Sequence, residues 1–85
     1  MQQPSVRERL FTYFKERYGV TDDELSADLP LDSFIDSLGR LALIKFVRSE
    51  LGVELKAADV VPENLGSPQR LVAFVDARKQ GGAAP

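Results

Sequence analysis

Apolar residues recur three and four positions apart in three stretches of the chain, with turn-forming residues between them. Val6, Leu10, Tyr13 and Phe14 fall on one side of a helix over about residues 5–18, with Arg7, Arg9, Lys15 and Glu16 between them. That stretch opens on Ser5-Val6-Arg7-Glu8, the spacing of a capping box, and Gly19 suits a left-handed end. Leu41, Leu43, Ile44, Val47 and Leu51 predict a central helix over about residues 37–51, with Asp36 as its cap and Gly52 as its stop. Leu71, Val72 and Val75, with Phe74 near the edge, predict a last helix that starts at Ser67-Pro68 and stops at Gly81-Gly82. Lys79 suits the negative pole of that helix. Before it, Asp59 is placed to cap a short helical turn over Val60–Leu65, with Pro62 tolerated near its start and Gly66 as its breaker.

The segments between these helices read differently from one another. Residues 19–36 are expected to form a long loop, because Pro30 argues against a helix through them. The loop carries six acids, Asp22, Asp23, Glu24, Asp28, Asp32 and Asp36, and no basic residue. Leu25, Leu29, Leu31, Phe34 and Ile35 are expected to pin it to the core. A loop this long in a small domain is usually functional. Val53-Glu54-Leu55-Lys56-Ala57-Ala58 reads as a connector, its alternation too short for a sheet. The predicted fold is all-α, a four-helix bundle of three main helices plus a short third helix, with a long first loop. Residues 1–80 form a single domain and residues 81–85 a flexible tail.

Composition narrows the chemistry. The 85 residues contain no cysteine and no histidine. That leaves no thiol nucleophile, no thiolate metal site and none of the commonest general base. A metal site is not expected beyond a weak Mg²⁺ contact. Eleven basic and thirteen acidic residues give a net charge of −2, which argues against nucleic acid as a partner. No apolar run is long enough to span a membrane, and no basic, apolar leader precedes residue 5. The class this leaves is a small cytoplasmic binding or carrier module, monomeric when free.

The candidate chemistry lies at Asp36-Ser37-Leu38-Gly39. Ser37 falls in the first turn of the central helix, where free N–H groups and the positive end of the helix dipole favour an attached anion. Asp36 caps the helix and is placed to help hold a metal ion during phosphate chemistry on the neighbouring hydroxyl. Leu38, Ala42 and Phe46 form a row four residues apart, expected to be exposed opposite the core row of Leu43, Val47 and Leu51. Such an outward apolar row, flanked by Lys45 and Arg48, reads as a docking surface. Val60, Val61 and Leu65 on the short helix are expected to complete it.

These residues give the chain a resemblance to the carrier protein family, which comprises acyl carrier proteins and peptidyl or aminoacyl carrier proteins. It covers nearly all of residues 5–80. It rests on Asp36-Ser37-Leu38 opening the central helix, on Leu51-Gly52-Val53 after it, and on Asp59-Val60-Val61-Pro62-Glu63-Asn64-Leu65 before the last helix. The resemblance implies that Ser37 is the attachment point of 4′-phosphopantetheine. A phosphopantetheinyl transferase would transfer it from coenzyme A with Mg²⁺, and the arm's thiol would carry an acyl or aminoacyl thioester between enzymes. Its partners would be an adenylating ligase or acyltransferase that loads the arm and a downstream synthase or condensing enzyme. The chain itself would not be an enzyme. A chain without cysteine or histidine fits this, since the thiol comes from a prosthetic group and acid–base catalysis from partners.

Asp32-Ser33-Phe34 imitates the attachment tripeptide. A helix begun at Ser33 would hold Asp36, Ser37 and Gly39 in its interior, all poor helix formers, so Ser33 is expected to be a polar loop residue. The central helix departs from fatty-acid-type carriers, whose second helix is generally acidic. Here Arg40, Lys45 and Arg48 face Glu50 alone, a balance of +2, and Ala42 stands where glutamate is common. Gly39 looks more like the aminoacyl and D-alanyl carriers. The expected function is a discrete carrier of polyketide or nonribosomal-peptide-type natural product biosynthesis. A D-alanyl or fatty-acid-type carrier, or a helical protein-binding adaptor without a prosthetic group, stands as the alternative.

Overall fold

The first helix, α1 (Val6–Tyr18), begins where both halves of the predicted capping box close. Ser5 Oγ accepts from the Glu8 N–H at 3.1 Å, and Glu8 Oε1 accepts from the Ser5 N–H. Gly19 ends it at φ 71°, a left-handed conformation that a side chain would strain. Val6, Leu10, Phe11 and Phe14 are buried. Phe11 therefore takes the core place the periodicity gave to Tyr13, which sits half-buried at the edge. The computed structural model describes residues 5–27 and 29–82, and among these all regular structure is helical.

The first loop is more ordered than its sequence predicts. Asp22–Ser26 form a five-residue helix, α2, capped by Thr21 and Glu24 in a second capping box. Asp22, Asp23 and Glu24 occupy its first turn, where the dipole favours acids. Leu25 is fully buried and ties α2 to the core. After Pro30, residues Leu31–Ser33 make one 3₁₀ turn. Leu31 and Ile35 are buried, Phe34 packs partly against the core, and Leu29 is half-buried, as expected of the loop's apolar residues. The Leu31 N–H donates to Gly66 O at 3.0 Å, which fastens the loop to the far side of the bundle.

The central helix, α3 (Ser37–Leu51), has the predicted bounds, with Asp36 as N-cap and Gly52 as a left-handed C-cap at φ 72°. Leu43, Val47 and Leu51 are buried. Leu41 is not: it is 58% exposed. At about 100° per residue, Leu41 lies roughly 200° round the helix from Leu43 and cannot share its face. The carboxyl end of α3 is held by two cations from other helices. Arg9 Nη1 donates to Glu50 O at 2.7 Å and Lys79 Nζ to Leu51 O at 3.2 Å, supplying partners for carbonyls the helix leaves free. Lys79 thus serves the end of α3 as well as lying near the end of its own helix.

Val53 and Leu55 turn inward and Glu54 outward along the connector, and Ala57–Asp59 form a second 3₁₀ turn. The short helix α4 (Pro62–Leu65) has Val61 at its N-cap with no side-chain cap. Asp59 does not cap it, because its carboxylate faces the other way. It accepts from the Lys56 N–H at 3.0 Å and pairs with Arg78 at 3.1 Å. The last helix, α5 (Pro68–Gly82), starts on Ser67, whose Oγ accepts from the Arg70 N–H. It buries Leu71 and Val75 and runs through Gly81 and Gly82, which were expected to stop it. Of the expected flexible tail, residues 83–85 lie outside the described residues.

Asp59 carries a pH prediction. The Lys56 N–H bond first, and the Arg78 side chain second, hold its carboxyl below the ordinary 3.8. A depressed folded-state value contributes stability above the unfolded pKa, lost as pH falls through the folded one. Asp59→Asn is therefore expected to melt below the wild type at pH about 7, with the two melting curves converging below about pH 4. Thermal unfolding followed by circular dichroism across that range checks it, and a difference independent of pH refutes it.

Candidate functional site

Ile35 is buried just before the α3 start, and Asp36, Ser37 and Leu38 after it are exposed. Asp36 is extended (φ −92°, ψ −174°), its Oδ1 accepts from the Gly39 N–H at 2.8 Å, and its carbonyl takes the Arg40 N–H at 2.9 Å. That fixes the first turn and makes Ser37 the first helical residue, exposed to solvent. Its hydroxyl makes no hydrogen bond among the described residues. The N–H groups of Ser37 and Leu38 have no acceptor within the helix, so an anion on Ser37 Oγ meets free donors and the positive dipole end. Ser33 is placed differently. It closes the 3₁₀ turn and its hydroxyl donates to Pro30 O at 2.6 Å.

The outer face of α3 differs from the expected row. Leu38 is 76% exposed and its apolar neighbour on the surface is Leu41. Phe46 is half-buried, with its ring stacked on Tyr13 at 4.3 Å between centroids. Its position explains this, since it lies only about 60° round the helix from Leu43. The stack lies in the seam between α1 and α3, and burial there pushes the Tyr13 hydroxyl above its ordinary pKa. Ala42 is also half-buried. Leu65 is 5% exposed and belongs to the core. Val60 and Val61 are half-buried and line a cleft of about 120 Å³ with Asp32, Arg40, Pro62, Leu65 and Gly66. Arg40 is paired with Asp32, and Glu50 with Arg9. Lys45 and Arg48 are exposed and make no ion pair among the described residues. The exposed surface of α3 is thus Leu38 and Leu41 beside Lys45 and Arg48. Leu41 was missed as a surface residue although its two-residue offset from Leu43 points to it.

A family model described as a phosphopantetheine attachment site matches residues 8–75. The chain belongs to this family. It is a phosphopantetheine-carrying carrier protein, and the match decides against an adaptor without a prosthetic group. Neither the curated proteins nor the solved structures compared with the chain give a match. Carrier domains of this kind are in general non-catalytic and interact with a phosphopantetheinyl transferase and with biosynthetic enzymes. Their 4′-phosphopantetheine is covalently attached and supplies the thiol that bears the cargo as a thioester. Among the described residues no helix is long and apolar enough to cross a membrane, and no cluster of three metal-ligating side chains occurs.

The carrier's Gly39 has a packing role that its sequence hid. A Cβ there would stand 2.5 Å from Tyr18 Oη, 3.0 Å from Ile35 Cγ2 and 3.2 Å from Asp36 Oδ1. Tyr18 ends α1, and its ring packs edge-on against Phe34 at 5.6 Å. The missing side chain admits the Tyr18 hydroxyl against the first turn of α3. Gly39 is accounted for by that contact and says nothing of which group the arm carries.

Proposed function

We propose that Ser37 bears the 4′-phosphopantetheine arm, and that the protein shuttles an acyl or aminoacyl group between enzymes of polyketide or nonribosomal-peptide-type biosynthesis. The observation that carries the site is the position of Ser37. It is the first residue of α3, exposed, with its hydroxyl unengaged and free backbone donors beside it. Asp36 caps the helix and assists the transferase, consistent with its exposed carboxylate one residue away. Modification from coenzyme A goes with a cytoplasmic location. Leu38 and Leu41 are the apolar docking contacts, with Lys45 and Arg48 as the charges that choose partners. Val60 and Val61 contribute from the cleft side, Ala42 and Phe46 support the face from within, and Leu65 supports it from the core.

The specialised pathway rests on the α3 surface. Two unpaired cations beside two exposed leucines favour an apolar or acidic partner face and disfavour one with a basic patch. An adenylating ligase or acyltransferase would load the arm and a condensing enzyme would discharge it. Intact mass after incubation with coenzyme A, Mg²⁺ and a broad-specificity transferase tests the carrier reading, with one added phosphopantetheine expected. Failure to replace a fatty-acid carrier in cells is expected as well, and efficient replacement would count against the specialised pathway. Lys45→Glu/Arg48→Glu is expected to slow loading by the cognate enzyme about tenfold at low salt, mainly through association rate, with a smaller effect at high salt. Stopped-flow loading at two ionic strengths checks it. A loss equal at both would place the contact elsewhere.

A further inference from the structure

The Tyr18 hydroxyl is a polar atom with an unfilled role. Its oxygen is buried and has no hydrogen-bond partner among the described residues. A hydroxyl in that state costs stability unless something accepts from it. Its surroundings offer one acceptor of the right kind. Tyr18 Oη and Asp36 Oδ1 converge on the same point above Gly39, at 2.5 and 3.2 Å from it, so the two oxygens stand near one another with no hydrogen bond formed between them. An open cleft of about 370 Å³, lined by Tyr18, Phe34, Ile35 and Asp36 among others, runs beside the pair. Asp36 Oδ1 already accepts from the Gly39 N–H, and the carboxylate has acceptor capacity left over.

We propose that Tyr18 is a positioning residue for arm attachment, its buried hydroxyl turning to donate to the neighbouring Asp36 carboxylate, so that the first turn of α3 presents Ser37 to the transferase. This rests on Ser37 being the attachment site. Tyr18 is half-buried beside the first turn of α3, so it acts on the transfer step through Asp36 and not as an exposed docking contact. The bond it supplies is charge-assisted and partly removed from solvent, the kind whose loss is felt. Glycine at position 39 is what lets the hydroxyl reach that place.

The test is the rate of phosphopantetheine transfer to the full chain, read by intact mass, for wild type, Ser37→Ala, Tyr18→Phe, Asp36→Asn and the Tyr18→Phe/Asp36→Asn pair. Asparagine keeps the helix cap, so Asp36→Asn separates carboxylate from cap. Tyr18→Phe is expected to lower kcat about tenfold, which is ~1.4 kcal/mol of barrier, with KM unchanged and the protein fully folded at the assay temperature. In the Asp36→Asn background the same change is expected to have no further effect. Amide exchange at Gly39, measured by NMR on the unmodified protein, is expected to quicken in Tyr18→Phe, which reports the loosened turn without any transferase. Wild-type rates in Tyr18→Phe, or a loss that simply multiplies with that of Asp36→Asn, would overturn the proposal. A rise in KM with kcat intact would do so too. Continued mass gain in Ser37→Ala would instead overturn the attachment site beneath it.

Discussion

Ser37→Ala is expected to abolish the gain of phosphopantetheine completely, and Ser33→Ala to leave it at the wild-type rate. The two serines lie four residues apart in tripeptides of similar shape, and helix propensity in the sequence already favours Ser37. Their surroundings separate them. Ser33 Oγ spends its proton on Pro30 O at 2.6 Å inside a 3₁₀ turn, and no helix of useful length begins there. A nucleophilic oxygen in that position would have to give up this bond and would deliver the phosphodiester to a turn without a dipole. Ser37 stands at the head of a fifteen-residue helix, its hydroxyl unengaged, with Asp36 holding the Gly39 N–H beside it. The phosphodiester gains about 0.3–1 kcal/mol from that helix end, and the transferase meets a turn already built. Both alanine variants keep the fold, since neither hydroxyl supports the core and Asp36 remains the cap. Circular dichroism on the same samples shows this. Loss of mass gain in Ser33→Ala alone would move the attachment site by four residues. No gain in a folded wild-type chain would remove the carrier function itself.

Much of this arrangement was legible in the sequence because its signals are local. Ser5, Glu8 and Gly19 bound α1, Asp36 and Gly52 bound α3, and Ser67-Pro68 starts α5, each through hydrogen bonds or backbone angles settled within a few residues. α2 escaped because five residues are too few to show a helical period, although Thr21 and Glu24 carried the same capping signature as Ser5 and Glu8. Gly81 and Gly82 were over-read as a stop, since each glycine costs a helix only about 1 kcal/mol relative to alanine. The exposed face of α3 was half-legible. Leu38, Lys45 and Arg48 stand where the spacing put them, but Phe46 turns to Tyr13, and Leu41 takes the outer place. Contacts distant in sequence were out of reach. Arg40 on Asp32, Arg9 and Lys79 on the carboxyl end of α3, and Asp59 on Arg78 depend on how elements are brought together. So does the contact that explains Gly39, whose partner stands twenty-one residues earlier in the chain.

That contact gives the second large effect. Gly39→Ala is expected to destabilise the protein by about 1–3 kcal/mol, the usual cost of forcing a methyl group into filled space. Helix propensity alone points the other way, because alanine is better than glycine inside a helix by about 1 kcal/mol. Sterics win, for the new Cβ would stand 2.5 Å from Tyr18 Oη, and Tyr18 cannot retreat cheaply while its ring packs on Phe34. Tyr18→Phe removes that nearest atom. The remaining neighbours, Ile35 Cγ2 at 3.0 Å and Asp36 Oδ1 at 3.2 Å, need to yield only a few tenths of an ångström. The double variant is therefore expected to recover most of the loss, with a coupling energy of about 1–2 kcal/mol in denaturant melts of all four proteins. Additive effects would mean that Gly39 is not there to receive the hydroxyl. Transfer to Ser37 should not recover with stability, because the double variant regains the packing of the first turn and still lacks the Tyr18 donor. A chain that melts like the wild type and is modified as slowly as Tyr18→Phe alone would show that the hydroxyl and the space made for it serve the attachment step and not the fold.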